Sequence, residues 1–185
     1  MGKYCVLPHN ARRLHVKVEE RQKKIAEFGC KSSFNRLEEG DKKIGIISSG
    51  ISYCHAREIF PDASFLKLGL TYPFPVELIK KFASSVEKLI VIEENDPFLE
   101  TAVRALGIAC IGKDRLPVCG ELNPDIIHES LPELVNRPMP VKTRPADVEI
   151  PVRPPVLCPG CPHRGVFYTL RKLDCTVTGD IGCYS

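Results

Sequence analysis

The sequence predicts an α/β protein built on a small doubly wound parallel sheet. Three observations carry that expectation. Residues 43–136 alternate short β-rich runs with stretches of helical period, the pattern of strand–helix–strand units covered on both faces. Lys88–Glu93 (KLIVIE) is a nearly continuous apolar run, as in a buried parallel strand. The last three helical stretches open on Pro or Asp and one ends at Gly107, which gives those elements start or stop signals.

Residues 1–42 read as an N-terminal helix and a linker. Asn10 suits an N-cap and Gly29 a C′ position. Leu14, Val18, Ile25 and Phe28 fall near one face between them. Glu19–Lys23 and Glu20–Lys24 are favourable pairs on the solvated face. Lys31–Lys42 is polar and reads as connecting chain.

Residues 43–137 form the α/β domain. Lys43–Ser48 is the first strand, Gly50 and Ser52 the turn, and a short helix runs through Tyr53–Phe60. Ser64–Leu68 is the second strand. Pro73 and Pro75 then open a helix with Leu78, Ile79, Phe82 and Ala83 as its apolar stripe. After the third strand, Asp96 and Pro97 start a helix that buries Phe98, Leu99, Ala102, Val103 and Leu106. Ile108–Ile111 reads as a fourth strand, and Pro124 starts a last short helix. A sheet of this size buries a core without metal or disulfides.

Residues 138–156 form a linker. Pro138, Pro140, Pro145, Pro151, Pro154 and Pro155 exclude a helix or a central strand and favour an extended spacer. Residues 157–185 begin a second domain. Cys161-Pro162 opens a helix through Leu173 with Val166, Phe167 and Leu170 inward, and Cys175–Thr178 reads as a strand entering Gly179–Ser185.

Composition bounds the function. Hydrophobic content of 43% and charged content of 26% are those of a soluble globular protein. A net charge of +3, from 26 basic and 23 acidic residues, implies no nucleic-acid partner and no anionic membrane surface. The sequence has no apolar run of about 20 residues and no secretory leader, so the expected location is cytoplasmic. Nine cysteines, an odd number, argue against a complete disulfide framework and for a reducing compartment. Cys5, Cys30, Cys54, Cys110, Cys119 and Cys175 are scattered and read as small buried hydrophobes or tolerated thiols.

Cys158-Pro159-Gly160-Cys161 brings two sulfurs within reach of one metal or of each other, and Cys183 lies nearby in sequence. Four readings compete. A c-type haem site requires His directly after the second Cys, where Pro162 stands. Zinc could take Cys158, Cys161, His163 and Cys183, although Cys161 and His163 are spaced poorly for shared tetrahedral ligation. A redox dithiol at a helix N-terminus leaves Cys183 unexplained. An iron–sulfur cluster needs four cysteines, of which these are three. Gly179-Asp180-Ile181-Gly182 after a strand-like run suits close approach of backbone to a ligand, or an ordinary tight turn. His163 and Arg164 could meet an anion, and read more simply as first-turn residues facing water. Glu93, Glu94, Asn95 and Asp96 could bind metal, but helix capping accounts for them more simply. His55, in the helix after the Gly50–Ser52 turn, is a weaker candidate for an anion site.

Arg153–Gly165 (RPPVLCPGCPHRG), followed by Thr178–Ser185 (TGDIGCYS), resembles the start of the thiamine-diphosphate domain in alpha subunits of the 2-oxoacid:ferredoxin oxidoreductases, in their indolepyruvate branch. Gly45–Gly50 (GIISSG), Leu68–Phe74 (LGLTYPF) and Val91–Glu94 (VIEE) are similar to the transketolase C-terminal-like α/β domain of the same subunits. The resemblance covers roughly residues 40–185. It implies oxidative decarboxylation of an aryl 2-oxoacid to an acyl-CoA, with ferredoxin as electron acceptor and a β subunit as partner. It implies thiamine diphosphate with Mg²⁺, and a [4Fe-4S] cluster held at Cys158, Cys161 and Cys183. Gly182 and Cys183 would line the thiazolium pocket. It also places the pyrimidine-binding domain before residue 1 and the magnesium-diphosphate motif after Ser185, so Asp180 is not that motif. No catalytic residue is assigned, and the chain alone is expected to lack oxidoreductase activity and to bind thiamine diphosphate negligibly.

Two other classes compete with this reading. One is a metal-binding or redox-dithiol CxxC module attached to a structural α/β domain. The other is a non-catalytic domain that serves only for packing in a larger subunit.

Overall fold

The three parallel strands bury side chains of both parities, and that alternation builds two cores on one sheet. A computed structural model describes residues 7–136, 138, 156–179 and 182. The chain divides into two compact units, Met1–Val141 and Lys142–Ser185.

In the first unit the order is α1 (Pro8–Lys31), β1 (Arg36–Glu38), β2 (Asp41–Ser49), α2 (Gly50–Ile59), β3 (Ala63–Leu68), α3 (Val76–Ala83), β4 (Lys88–Ile92), α4 (Phe98–Ala105) and α5 (Pro124–Ser130). The sheet runs β1-β3-β2-β4. β2 is parallel to both β3 and β4, and β1 is antiparallel to β3. The sheet is therefore mixed, not wholly parallel. Arg36–Glu38 lies in the stretch expected to be linker. A three-residue polar strand carries no periodic signal, and it forms because β3 offers an unpaired edge.

Ile46, Phe65, Ile90 and Ile92 face α2 and α5, where Ala56, Ile59 and Ile127 meet them. Ile47, Leu66, Leu68, Leu89 and Val91 face α3 and α4, against Ile79, Phe82, Leu99 and Val103. Covering both faces makes the sheet doubly wound, as expected. Full burial of each such side chain contributes about 1.5–3 kcal/mol before entropy is counted. Gly45 is required by proximity. A Cβ there would lie 2.6 Å from Val86 Cγ2.

Several sequence expectations shift. α1 starts at Pro8 rather than after Asn10, and Gly29 lies inside the helix, buried. The buried Asn35 explains that ending. Its Nδ2 donates to the Gly29 carbonyl at 2.9 Å, and its Oδ1 accepts from Gly69 and Leu70 N–H at 2.9 Å each. This one amide ties the end of α1 to the loop after β3. Ile108–Ile111 is not a strand. Only Ile111 pairs, in a parallel bridge with Ile90. Phe98, expected inside, is exposed, with its ring 5.4 Å from that of Phe74.

In the second unit, α6 spans His163–Lys172. Cys175–Thr178 is not a strand. The expected inward face of α6 is not buried. Val166 is exposed, Phe167 and Leu170 are half-buried, and no α6 residue is fully buried in this unit. An amphipathic pattern specifies which face is apolar, while burial requires a neighbour to cover it. Of the 138–156 linker, only Pro138 and Val156 are among the described residues.

Candidate functional site

The Cys158–Cys161 segment is a hydrogen-bonded β-turn. Cys161 N–H donates to the Cys158 carbonyl at 3.1 Å. Gly160 takes φ +76° at the third position, after Pro159 at the second. Proline presets the second residue of a type II turn, and only glycine takes the third without strain. The two cysteines thus sit at opposite ends of one tight turn, Cys158 exposed and Cys161 half-buried. α6 begins two residues after Cys161, so the positive end of its dipole lies beside that residue.

Arg164 holds the turn from α6. Its guanidinium donates to the carbonyl oxygens of Cys158 at 3.0 Å and Leu157 at 2.5 Å. Arg164 is exposed, as expected of a first-turn residue, and its guanidinium also braces the backbone that carries the thiols. Cys161 Sγ lies 3.4 Å from His163 Nδ1. Sulfur and nitrogen sharing a tetrahedral zinc stand about 3.5 Å apart, given Zn–S of about 2.3 Å and Zn–N of about 2.0 Å. The Cys161–His163 separation is close to that value, because Cys161 precedes the first turn of the helix and His163 stands in it. The His163 ring also stacks on Phe167, with centroids 6.1 Å apart. Of the residues expected to bind metal or cofactor, Cys158, Cys161 and Gly182 are described, and Cys183 and Asp180 lie outside the described residues. Among the described residues, no three His, Cys, Asp or Glu side chains converge where a metal ion could be held.

The first unit carries a cleft of about 460 Å³ at the carboxyl ends of β2 and β4. One wall is Ser49–Ser52, and the other is Glu93–Asp96 with Phe98 and Leu99. Thr71 also lines it. Glu93 is buried, and its two carboxylate oxygens accept from the backbone N–H groups of Leu99 at 2.7 Å and Glu100 at 2.9 Å. A carboxylate on the first amides of α4 satisfies donors that the helix itself leaves open and complements its dipole. Glu94 accepts from Leu122 N–H at 2.9 Å. The acidic cluster is thus helix and loop capping, the simpler of the two expectations. Glu93 rather than Asp96 supplies the capping carboxylate.

Behind this wall lies a second buried acid. Glu100 accepts from Lys113 N–H at 2.7 Å and pairs with Arg104 at 2.7 Å. Lys113 Nζ donates to the Glu93 carbonyl at 2.6 Å. Burial lowers the Lys113 pKa, against the opposing pull of Glu93, Glu100, Glu94 and Asp96. His55, weighed as an anion ligand, is half-buried on α2 and does not line the cleft.

Sequence reasoning missed the roles of Asn35 and Arg164, and that Glu93 rather than Asp96 caps α4. The type II turn was legible in Pro159-Gly160. The bracing Arg164 had no local signal, because its partners lie six and seven residues back.

No protein-family model matches the chain. It is 36% identical over 199 residues to indolepyruvate oxidoreductase subunit IorA of Archaeoglobus fulgidus, covering 97% of this chain and 32% of that protein. It is 34% identical over 207 residues to the subunit of the same name from Methanothermobacter thermautotrophicus, covering 99% of this chain and 33% of that one. The chain therefore spans about a third of the length of the curated relatives it matches. Among solved structures it is similar to the 2-oxoglutarate:ferredoxin oxidoreductase of Magnetococcus marinus, solved with 2-oxoglutarate, coenzyme A and succinyl-CoA bound. That match has a TM-score of 0.54 at 25% identity and covers 70% of this chain and 24% of that one.

Proposed function

The chain belongs to the family of the indolepyruvate oxidoreductase IorA subunits, among the 2-oxoacid:ferredoxin oxidoreductases, and on that premise we propose that it forms part of an enzyme oxidising aryl 2-oxoacids. In this reading indolepyruvate is decarboxylated to its acyl-CoA, ferredoxin takes the electrons, and a β subunit completes the assembly. The observation that carries the reading is that similarity runs along nearly the whole chain rather than through one motif.

Thiamine diphosphate with Mg²⁺, when bound, supplies the electron sink for decarboxylation. Gly182 and Cys183 line its pocket in this proposal. Cys158, Cys161 and Cys183 ligate a [4Fe-4S] cluster nearby. The described residues fit that role as far as they go. Two thiols at the ends of one turn, neither fully buried, can both reach a cluster edge. Arg164 fixes the carbonyls of that turn and so limits the spread of the two thiols. The α6 N-terminus favours negative charge beside Cys161.

A chimera tests the substrate. The matching third of Archaeoglobus fulgidus IorA is replaced by this chain and paired with its β subunit. Indolepyruvate- and CoA-dependent viologen reduction is the expected result. A folded chimera active on 2-oxoglutarate but not indolepyruvate overturns the substrate assignment, and one active on neither overturns the reading.

The 3.4 Å approach of Cys161 Sγ to His163 Nδ1 favours a second reading, a zinc-binding or redox-dithiol module. Anaerobic reconstitution with iron and sulfide separates the two. Broad absorbance near about 400 nm supports a cluster, whereas stoichiometric zinc without it supports the module.

A further inference from the structure

We propose that the cleft at the carboxyl ends of β2 and β4 binds a phosphate monoester of a small hydroxylated compound. The phosphate sits at the N-terminus of α2, and the hydroxyls face Glu94 and Asp96. The inference does not rest on the oxidoreductase reading.

The position comes from topology. β2 lies between β3 and β4, so the chain leaves β2 toward one side of the sheet and later returns to the other. Loops that part in opposite directions open a crevice at the carboxyl ends of the strands, where ligands of open α/β sheets bind. The cleft lies at that switch point, between the loop after β2 and the loop after β4.

Ser52 is the second observation. It is only 5% exposed and lines the cleft, and no described residue hydrogen-bonds its hydroxyl. Among the described residues only Gln22 Oε1 is a fully buried side-chain polar atom without a partner, so the Ser52 hydroxyl is reached from the cleft and is free to donate to a ligand there. Ser48, four residues earlier on β2, shows the usual solution. Its Oγ donates to the Ile92 carbonyl at 2.6 Å. Ser52 has no such outlet except the cleft.

The N-terminus of α2 is also uncapped. Ser49 holds the N-cap position without a side-chain cap bond. The first-turn N–H groups therefore lack the usual side-chain acceptor, and the helix dipole favours an anion there. Gly50 has φ +55°, and a Cβ there would meet nothing within 4 Å. The glycine answers to conformation rather than crowding, and the space beside it is open.

The opposite wall selects the rest of the ligand. No Lys or Arg lines the cleft, so a diphosphate would find too little compensating charge. Glu93 is occupied by the amides of α4. Glu94 Oε1 accepts from Leu122 N–H, which leaves its second oxygen and the Asp96 carboxylate to accept from hydroxyls and to repel a second phosphate. One anion at one end and donors at the other describe a sugar phosphate.

The test is amide NMR on the full 185-residue chain, titrated separately with ribose 5-phosphate, ribose and inorganic phosphate. Ribose 5-phosphate is expected to move the Gly50, Ile51, Ser52 and Asp96 amides saturably. Ribose and phosphate alone should bind at least about tenfold more weakly, since each keeps half of the contacts. Ser52→Ala should weaken ribose 5-phosphate about fivefold or more by removing one phosphate donor. Ser52→Asp should abolish binding, with the rest of the spectrum unchanged. If the Asp variant misfolds, its spectrum shows it and Ser52→Ala carries the test. Absence of saturable shifts at these amides overturns the proposal. So does equal affinity for inorganic phosphate, or a Ser52→Ala variant that binds as well as the parent.

Discussion

Arg164 Nε donates to the Cys158 carbonyl at 3.0 Å, tying the first cysteine of the turn to the helix that follows the second. The bond makes the geometry of two thiols depend on a residue that ligates nothing. Groups one step removed from a metal typically alter its affinity about 10–100-fold. If the two thiols hold a metal as proposed, Arg164→Ala is expected to weaken cobalt(II) binding there by about tenfold. Arg164→Lys should not restore it, because an ammonium cannot span two carbonyls as the planar fork does. Titration followed by cobalt–thiolate absorbance checks this. Unchanged affinity in the Ala variant would show the brace to be incidental.

Glu93→Ala should destabilise the first unit by about 2–3 kcal/mol, because two buried amides of α4 lose a charged acceptor. Glu93→Gln keeps one acceptor oxygen and should cost about 1 kcal/mol. Urea unfolding followed by far-UV circular dichroism measures both. Equal costs for the two variants would mean that bulk, not hydrogen bonding, matters at this position.

Gly45→Ala puts a methyl against Val86, whose Cγ2 stands 2.6 Å from the Cβ position. Overpacking of this kind costs about 1–3 kcal/mol. Val86→Ala in the same chain should recover part of that loss, although alone it destabilises by opening a cavity. A double-mutant cycle without a favourable coupling would contradict the close approach.

Alkaline pH should weaken the fold partly through Cys110. Burial raises its thiol pKa, partly opposed by the hydrogen bond and charge of Arg104. The folded thiol thus keeps its proton above the ordinary value of 9.0, where the unfolded thiol has lost it. The stabilisation is complete below 9.0 and is lost as pH rises through the folded value. Lys113 acts with the opposite sign. Its lowered pKa means the unfolded chain holds more protons below 10.5, so its contribution rises with pH there. Under reducing conditions, Cys110→Ala should flatten the fall in stability above pH 9, and Lys113→Met should steepen it. Unfolding curves from pH 8 to 10 read both slopes. An unchanged slope in Cys110→Ala contradicts the assignment.

Elements whose signal is local were legible. β2, β3 and β4 announce themselves by apolar runs, and Pro159-Gly160 announces the turn between the cysteines. β1 was not, because three polar residues have no period and owe their strand to the edge of β3. Ile108–Ile111 looks like a strand, yet only Ile111 reaches the ladder on β4. α6 has an amphipathic pattern whose apolar face nothing in its own unit fully covers.

The residues alone determined the alternation of strand and helix, the two-faced core and the CxxC turn, because each follows from neighbours a few positions apart. Tertiary structure decided the cleft. Parallel pairing sets Ser48 opposite Ile92, so the loops holding Ser49–Ser52 and Glu93–Asp96 start side by side. It also decided that Glu93 caps α4 and that Ser52 lines the cleft without a hydrogen-bond partner among the described residues. Such a juxtaposition depends on strand register across more than one element, and no local pattern encodes it.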